Sequence, residues 1–362
     1  MDDDLKLRVG LIGCGRISGR HVQVVKSHPE LELVAVCDLV PGKAKATAEA
    51  AGVRPYTDMM EMVGGERLDI AAVLTESGSH GRVGVAVAPH VKALVIEKPM
   101  ALTLDDADRL IEVCDTHQTR LFVVKQNRYN PPVQRLREAL DEGRLGKPVL
   151  GTVRVRWSRD QSYYDQAPWR GTWRDDGGVL TNQASHHIDL LQWMMGPVES
   201  VKAYAARRLV AIETEDTAVA ILRFTSGALG VVEATTATRP KDLEGSLSVL
   251  GEAGSVVIGG FAVDQMITWN FARPRPEDEY ALKPSESPPN VYGFGHRAFY
   301  RDVIEAIRTG RRAMLDGLEG RKSLELVHAL YESAASGQEV RLRYVSRGVP
   351  LGVGQADGQS SL

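Results

Sequence analysis

Cysteine is scarce in this chain of 362 residues: Cys14, Cys37 and Cys114 are its only three. They have neither metal-ligand nor disulfide-framework spacing, and an odd, sparse count suits a reducing compartment. Cys14 and Cys37 fall in or beside apolar runs and read as small core or near-ligand residues. Net charge is also small, −3, so no global pull toward nucleic acid or an anionic membrane is expected. An anionic ligand would have to be held by a local cluster. No apolar stretch reaches membrane-spanning length. The opening MDDDLKLR lacks an apolar signal core, so no export is indicated and a cytoplasmic location is expected. No internal repeat of solenoid type is visible. What is present is ordinary for globular chains, 43% hydrophobic and 25% charged residues, in a length that suits two domains.

The most informative stretch is Leu7–Gly19, LRVGLIGCGRISG. Leu7 to Ile12 is a short apolar run of strand type, and a helical pattern begins behind Ser18. Between them Gly13-Cys14-Gly15-Arg16-Ile17-Ser18 reads as a dinucleotide fingerprint with serine in place of its third glycine. Gly13 permits the tight turn. Gly15 lets the backbone approach a pyrophosphate, and Ser18 is small enough for close helix–strand packing. The helix N-terminus offers free N–H groups and a positive dipole end to phosphates. An ordinary strand–helix turn would show the same glycines. The next apolar run, Leu31–Cys37, ends in Asp38, about 20 residues on, as the fingerprint requires.

Further apolar runs at Ile70–Leu74, Ala93–Ile96 and Leu121–Val124 alternate with helical stretches, which predicts a parallel sheet with helices on both faces. Ligands of such sheets sit at the carboxyl ends of the strands. The residues to inspect are therefore Gly13–Ser18, Asp38, Thr75–His80, Glu97–Pro99 and Gln126–Tyr129. A carboxylate at Asp38 accepts from ribose hydroxyls and repels a ribose phosphate, which favours NAD over NADP; the alternative is a turn or capping aspartate. Lys98 is either a surface lysine or a catalytic one; Pro99 stiffens the backbone beside it, and Glu97 either orients it or caps the strand end.

Beyond Val124 the pattern changes. Pro131–Leu140 predicts a helix capped by Asn130. From Val149 onward period-two strands dominate: Val149–Trp157, Val198–Leu209, Thr217–Thr225, Ala228–Thr236, Gly245–Leu250 and Ser255–Ile258. Strands in a run after an α/β half argue for a second, sheet-based domain. One helix interrupts them, GGVLTNQASHHID followed by LLQWMMG, with Ile188, Leu191 and Met195 on a buried face. Asn182 and His186 share a face if both lie on it, and Asp189 is placed to hold the His186 imidazole. A neutral histidine of this kind is a suitable base for a hydroxyl proton; the alternative is a satisfied helix histidine. The loop Arg156–Asp176 holds four arginines, three tryptophans and two tyrosines. Arginine forks and stacking rings suit a large polar ligand. The alternative is a solvated loop with buried tryptophans, and its acidic residues argue against nucleic acid. Gly295–Gln338 reads as two amphipathic helices. In their lead-in Tyr292, Phe294 and His296 either line a pocket or are structural.

The segments GCGRIS, CD, LTESGSH, EKP and KQNRYNP, in this order and spacing, resemble those of the Gfo/Idh/MocA oxidoreductases, and the similarity covers nearly the whole chain. The segment Gly177–Asp189 resembles the family motif G-G-x-L-x-D-x-G-x-H-x-x-D, with Asn182 at its aspartate and Thr75-Glu76 standing where the family has T-P. The resemblance implies an N-terminal Rossmann domain over residues 1–128. It implies a C-terminal α+β domain on a large, mostly antiparallel open sheet over 129–347, whose final helices pack back on the first; the Gly/Ser/Gln-rich composition of 348–362 reads as a disordered tail. It maps catalysis onto Lys98, His186 and Asn182. The cofactor NAD falls to Gly13, Gly15, Arg16, Ile17, Asp38, Thr75, His80, Glu97, Lys98 and Gln126. Substrate contacts fall to Arg128, Tyr129, Tyr163, Tyr164, Arg170, Trp173, Asn182, His186 and His187, with no metal. The implied activity is NAD-dependent oxidation of a secondary sugar hydroxyl. The pattern KQNRYNP, RDQSYYDQ and NQASHHID looks most like the branch acting on the 3-hydroxyl of UDP-N-acetylglucosamine or its uronic acid. A free-sugar or inositol dehydrogenase is the alternative enzyme, and a redox-sensing NAD(H)-binding regulator the alternative of another class. A homo-oligomer, dimer or tetramer, is expected through the sheet face.

Overall fold

Six short apolar segments pair in parallel to make the first sheet: β1 (Leu7–Ile12), β2 (Leu31–Cys37), β3 (Arg54–Tyr56), β4 (Ile70–Val73), β5 (Ala93–Ile96) and β6 (Arg120–Val123). The computed structural model describes residues 6–282 and 295–342. Strand order is β3-β2-β1-β4-β5-β6, every pairing parallel. All residues of β4 and β5 are buried, which is why these runs are apolar without alternation. The helices between them are α1 (Ser18–Ser27), α2 (Pro41–Ala51), α3 (Met59–Gly65), α4 (His80–Val87) and α5 (Leu104–Thr116). Local sequence sets their ends. Asp58 accepts from Met60 and Glu61 at the start of α3, Thr103 accepts from Asp106 at the start of α5, and Gly52, at φ +70°, closes α2. Strand order reverses between β1 and β4, so the carboxyl ends of these two strands flank the crevice where such sheets bind ligands.

The contacts divide the chain into two units, residues 1–125 with 296–322 and residues 126–295 with 323–362. In the first unit, α9 (Gly295–Thr309) supplies the buried Phe299, Tyr300 and Val303. The chain behind it covers the β6 edge: Val123 N–H donates to Leu315 O (3.0 Å), and Phe122 bridges Asp316.

The second unit contains α6 (Pro131–Asp141), β7 (Pro148–Arg156), the single turn α7 (Gln161–Tyr164), α8 (Ser185–Met195) and seven further strands. These are β8 (Val198–Ala206), β9 (Thr217–Phe224), β10 (Leu229–Thr235), β11 (Glu244–Gly251), β12 (Gly254–Gly259), β13 (Gln265–Phe271) and β14 (Val340–Arg341); α10 (Gly317–Ser336) precedes the last. The sheet order is β13-β12-β11-β7-β10-β9-β8-β14, antiparallel except for β7 with β10. Alternation is plain in β9, where Ala218, Ala220, Leu222 and Phe224 are buried while Val219 and Ile221 are exposed. On the covered face α8 lies over β7 and β11; a Cβ on Gly151 would meet Leu191 and Met195 at 2.7 Å, so only glycine allows this approach.

Three details differ from the sequence reading. β3, β13 and β14 are additional strands; all three lie at sheet edges, where pairing on one side replaces a strong apolar signal. Asn130 stands at the α6 N-cap, but its amide makes no cap bond and donates to the carbonyls of Ala262 and Val263. Tyr292, Phe294 and the tail from Gly348 lie outside the described residues. Cys14, Cys37 and Cys114 are buried free thiols, as read, with burial pushing Cys37 and Cys114 up to about 12.

Candidate functional site

In the first unit the site begins where β1 stops. Gly13, at φ +104°, donates its N–H to Cys37 O (2.7 Å). A Cβ there would fall 2.7 Å from the Leu74 carbonyl, so the turn closes only over glycine. Gly15 differs: nothing stands within 4 Å of its Cβ position, so its backbone faces open space. Helix α1 starts behind it at Ile17 with no side-chain cap and no acidic residue in its first turn. Ser18 N–H is taken by Gly15 O (3.2 Å) and Arg20 N–H by Ile17 O (3.0 Å), which leaves Gly19 N–H between them, among the described residues, for an external acceptor. Ser18 is buried and returns its hydroxyl to Gly15 O (2.7 Å), while Arg16 projects to solvent. This is a fit for a dinucleotide pyrophosphate: room at Gly15, the Gly19 amide and no competing anion.

Asp38 follows β2. Cys14 N–H donates to its Oδ2 and Val40 N–H to its Oδ1, both at 2.8 Å. The turn-aspartate alternative is thus realised, and each oxygen keeps a lone pair that a ribose hydroxyl can use. Leu39, 88% exposed, stands beside it as an apolar platform that sequence reasoning missed; its signal was a leucine at a loop position.

His80 ties two loops together. Its Nδ1 lies 2.7 Å from Pro99 O and its Nε2 3.0 Å from Thr75 O. Two carbonyls ask for an imidazolium, but burial pushes the His80 pKa down, and a neutral ring donates to only one of them. Its ring holds the chain after β4 to the chain after β5, and Thr75 is held in turn by Ser79 Oγ (2.6 Å). Lys98, half-buried, is the second residue after β5, and its N–H donates to Glu97 Oε2 (3.0 Å). Glu97 is buried.

In the second unit the site is the loop leading into α8. The helix starts at Ser185, so Asn182 precedes it and the shared helical face is corrected to a turn followed by a helix. That turn hangs on two side chains that sequence reasoning did not single out. Glu215 Oε1 accepts from Leu180 N–H and from the Tyr331 hydroxyl, both at 2.9 Å. The same hydroxyl lies 3.2 Å from Gly178 N and 2.9 Å from Thr181 Oγ1. A Cβ on Gly178 would stand 2.0 Å from Glu215 Oε2, hence the glycine. Full burial pushes the Glu215 carboxyl up to about 7, and its Oε2 has no partner. Its only sequence signal was an acidic pair, Glu215-Asp216, before a strand.

Asn182 and His186 are both half-buried. Asn182 Nδ2 donates to Asp176 Oδ1 (2.6 Å), and Asp176 Oδ2 accepts from Gly171 N–H (2.8 Å). His186 Nε2 lies 3.3 Å from Gln126 Nε2. Asp189, expected to orient His186, instead faces Arg128: both its oxygens accept from that guanidinium at 2.8 Å. Arg128 is itself buried and stacks over Trp193, with the guanidinium carbon 4.9 Å from the ring centroid.

Four residues expected to touch substrate are core residues of this unit. Arg128 is committed to Asp189. Tyr164 packs on Val210 and Ile212 and bonds Thr236 through its hydroxyl. Trp173 is buried edge-on against Tyr331, ring centroids 5.2 Å apart. His187 is buried against Trp157, and desolvation pushes it down to about 4. These placements follow the alternative of a loop with buried aromatics. Tyr129 and Tyr163 are only half-buried, and Arg170 donates to the Tyr163 hydroxyl (2.7 Å) while stacking on Tyr163 and Trp169.

Comparison with known proteins adds the following. The model of an oxidoreductase family with an NAD-binding Rossmann fold matches residues 7–125, and that of the GFO/IDH/MocA C-terminal domain matches residues 133–257. The WlbA dehydrogenase of Bordetella pertussis, solved in complex with NADH and UDP-GlcNAcA, is 42% identical with a TM-score of 0.88, over 94% of this chain and 98% of that one. The D-apiose dehydrogenase of Paraburkholderia graminis is 27% identical over 98% of this chain and 94% of its own. The myo-inositol 2-dehydrogenase of Thermotoga maritima is 27% identical over 94% and 99%.

Proposed function

The chain belongs to the GFO/IDH/MocA oxidoreductase family and is an NAD-dependent sugar oxidoreductase, and from that premise we propose that it oxidises the 3-hydroxyl of a UDP-N-acetylhexosamine or its uronic acid. The observation that carries this reading is the 42% identity, across nearly the whole of both chains, to a dehydrogenase crystallised with UDP-GlcNAcA. The names of the curated relatives favour a second reading, a free-sugar or inositol dehydrogenase, at lower identity.

Bound NAD supplies the hydride acceptor. The chain supplies the rest. The open Gly15 turn and the Gly19 amide of α1 hold the pyrophosphate, and Asp38 selects an unphosphorylated ribose. His186 removes the hydroxyl proton through an imidazole nitrogen, with Gln126 beside it. Lys98 stabilises the negative charge that gathers on the oxygen as that proton leaves. Removing the proton together with the hydride avoids a protonated carbonyl, which is why an acceptor and a cation are both required. Asn182 is the neutral hydrogen-bonding partner for the substrate.

The test is NAD reduction measured against a panel of free sugars, inositols, UDP-N-acetylglucosamine and its uronic acid. The nucleotide sugar is expected to lead in kcat/KM by about 100-fold or more, since a site built for a polar group rejects substrates lacking it. Lys98→Ala and His186→Ala are each expected to lower turnover by roughly 100-fold with NAD affinity little changed. Preference for an inositol or a pentose would replace the nucleotide-sugar reading with the second one. Tight NAD binding with no turnover on any member would favour a redox-sensing regulator.

A further inference from the structure

One buried polar cluster has no part in the chemistry above. At the first unit's core, His21 of α1 and Tyr300 of α9 are both 0% exposed. The His21 Nδ1 lies 2.7 Å from the Tyr300 hydroxyl, and its Nε2 lies 3.0 Å from Glu97 Oε1. The other oxygen of Glu97 accepts the N–H of Lys98. The chain Tyr300–His21–Glu97–Lys98 is thus continuous.

Its polarity can be read from its two ends. A phenol this deeply buried keeps its proton, because desolvation pushes its pKa up. A phenol hydroxyl can keep its proton and still accept, so the other end decides: the Glu97 carboxylate only accepts, the His21 Nε2 facing it carries a proton, and in the neutral ring Nδ1 then accepts from the Tyr300 hydroxyl. Glu97 then receives two N–H donors, one on each oxygen. Burial alone would push its carboxyl up, but the bond from His21 and the nearby His296 outweigh burial and hold it well below the usual carboxylate range. The other titratable groups facing Glu97 are His296, whose Nε2 is 3.9 Å away, and His80 of α4. Both are pushed down by burial, and Arg20 pushes His296 further the same way.

We propose that Tyr300, His21 and Glu97 form a positioning chain for Lys98, fixing its backbone through Glu97 Oε2 and placing a buried carboxylate on the residue before it. This rests on the role given to Lys98 above. Two bonds hold the carboxylate, and a third, to Tyr300, holds His21. A carboxylate so placed favours the charged form of the neighbouring lysine. His21, Glu97 and His296 also have ligand atoms within 4.8 Å of one another, a spacing compatible with a metal ion. Against that, both nitrogens of His21 and both oxygens of Glu97 already have hydrogen-bond partners, so the cluster is satisfied by protons.

The test reads Lys98 directly, apart from turnover. Competitive acetylation with acetic anhydride, followed by mass spectrometry over a pH series, reports the pKa of Lys98. In Glu97→Gln it is expected to fall by about one pH unit or more, since an attractive charge is removed. Tyr300→Phe deletes one oxygen and is expected to move it the same way by less. Where a sugar substrate is in hand, kcat of Glu97→Gln is expected to fall by roughly tenfold or more, with KM for NAD within about twofold. If both folded variants titrate Lys98 like the native protein, the proposal is overturned, whatever the protein oxidises. If the titration moves while no sugar is oxidised, the positioning chain stands and the proposed activity falls. One equivalent of zinc, retained from zinc chloride after dialysis and lost in His296→Ala, would also overturn it by making the cluster a metal site.

Discussion

Asn182 stands one hydrogen bond from a carboxylate, that of the buried Asp176. Asp176, six residues upstream of Asn182, thus sets a carboxyl group beside the position where the family motif has its aspartate. Restoring the aspartate would set two carboxylates at 2.6 Å, and like charges that close cannot both ionise. Asn182→Asp is expected to cost about 1–3 kcal/mol of stability at pH 8 and less at pH 5, where a shared proton relieves the pair. Melting curves of the native protein and the variant at the two pH values check this; equal melting temperatures at pH 8 would show that Asp176 is not felt at 182. Single residues were legible where their constraint is local. Gly13, Gly15 and Ser18 act within one turn, and their roles follow from size alone. The burial of Arg128, Tyr164, Trp173 and His187 was not legible, because composition shows which groups a segment owns, not which of them the core takes up.

At the scale of elements, the apolar strands and the helix starts were legible, because burial and capping act over a few residues. The turn before α8 was not. Its backbone is held by Glu215, 35 positions from Leu180, and by Tyr331, 150 from Thr181. No local pattern announces a bond of that range. Glu215 also gives this element a pH dependence. Burial pushes its carboxyl up to about 7 in the folded chain against about 4.3 unfolded, so the folded state holds the proton longer. Stability from this group is full below the unfolded value and is lost as pH rises through about 7. Glu215→Gln removes the titration and keeps the shape. Chemical denaturation from pH 5 to pH 8.5 is expected to show the native protein losing on the order of 3 kcal/mol relative to the variant. Parallel pH dependences would show that Glu215 is ionised throughout.

At the scale of the whole molecule, the second unit's sheet has one face that the described residues leave exposed. Tyr204, Val219, Ile221 and Leu229 are exposed on β8, β9 and β10. Beside them Arg154 and Arg156 pair with Glu233 and Glu244 across β7, β10 and β11. An apolar strip bordered by charges of both signs is self-complementary, so a second copy is the occupant we propose. Native mass at micromolar concentration is expected to be a multiple of one chain, and Ile221→Glu is expected to lower it. A native mass of one chain would refute the oligomer.

The same sheet has a history written into its order. Its middle strand, β7, is the first of the eight to be made, yet its neighbours β10 and β11 come roughly 80 and 100 residues later. During synthesis at about 5–20 residues per second, β7 waits several seconds with both edges unpaired. The parallel partner β10 cannot dock by a simple hairpin and closes a long loop at an entropic cost. Its waiting edges are not bare of protection. Arg154 and Arg156 stand along β7, and an unpaired strand bearing like charges repels its own copies until the glutamates of β10 and β11 arrive.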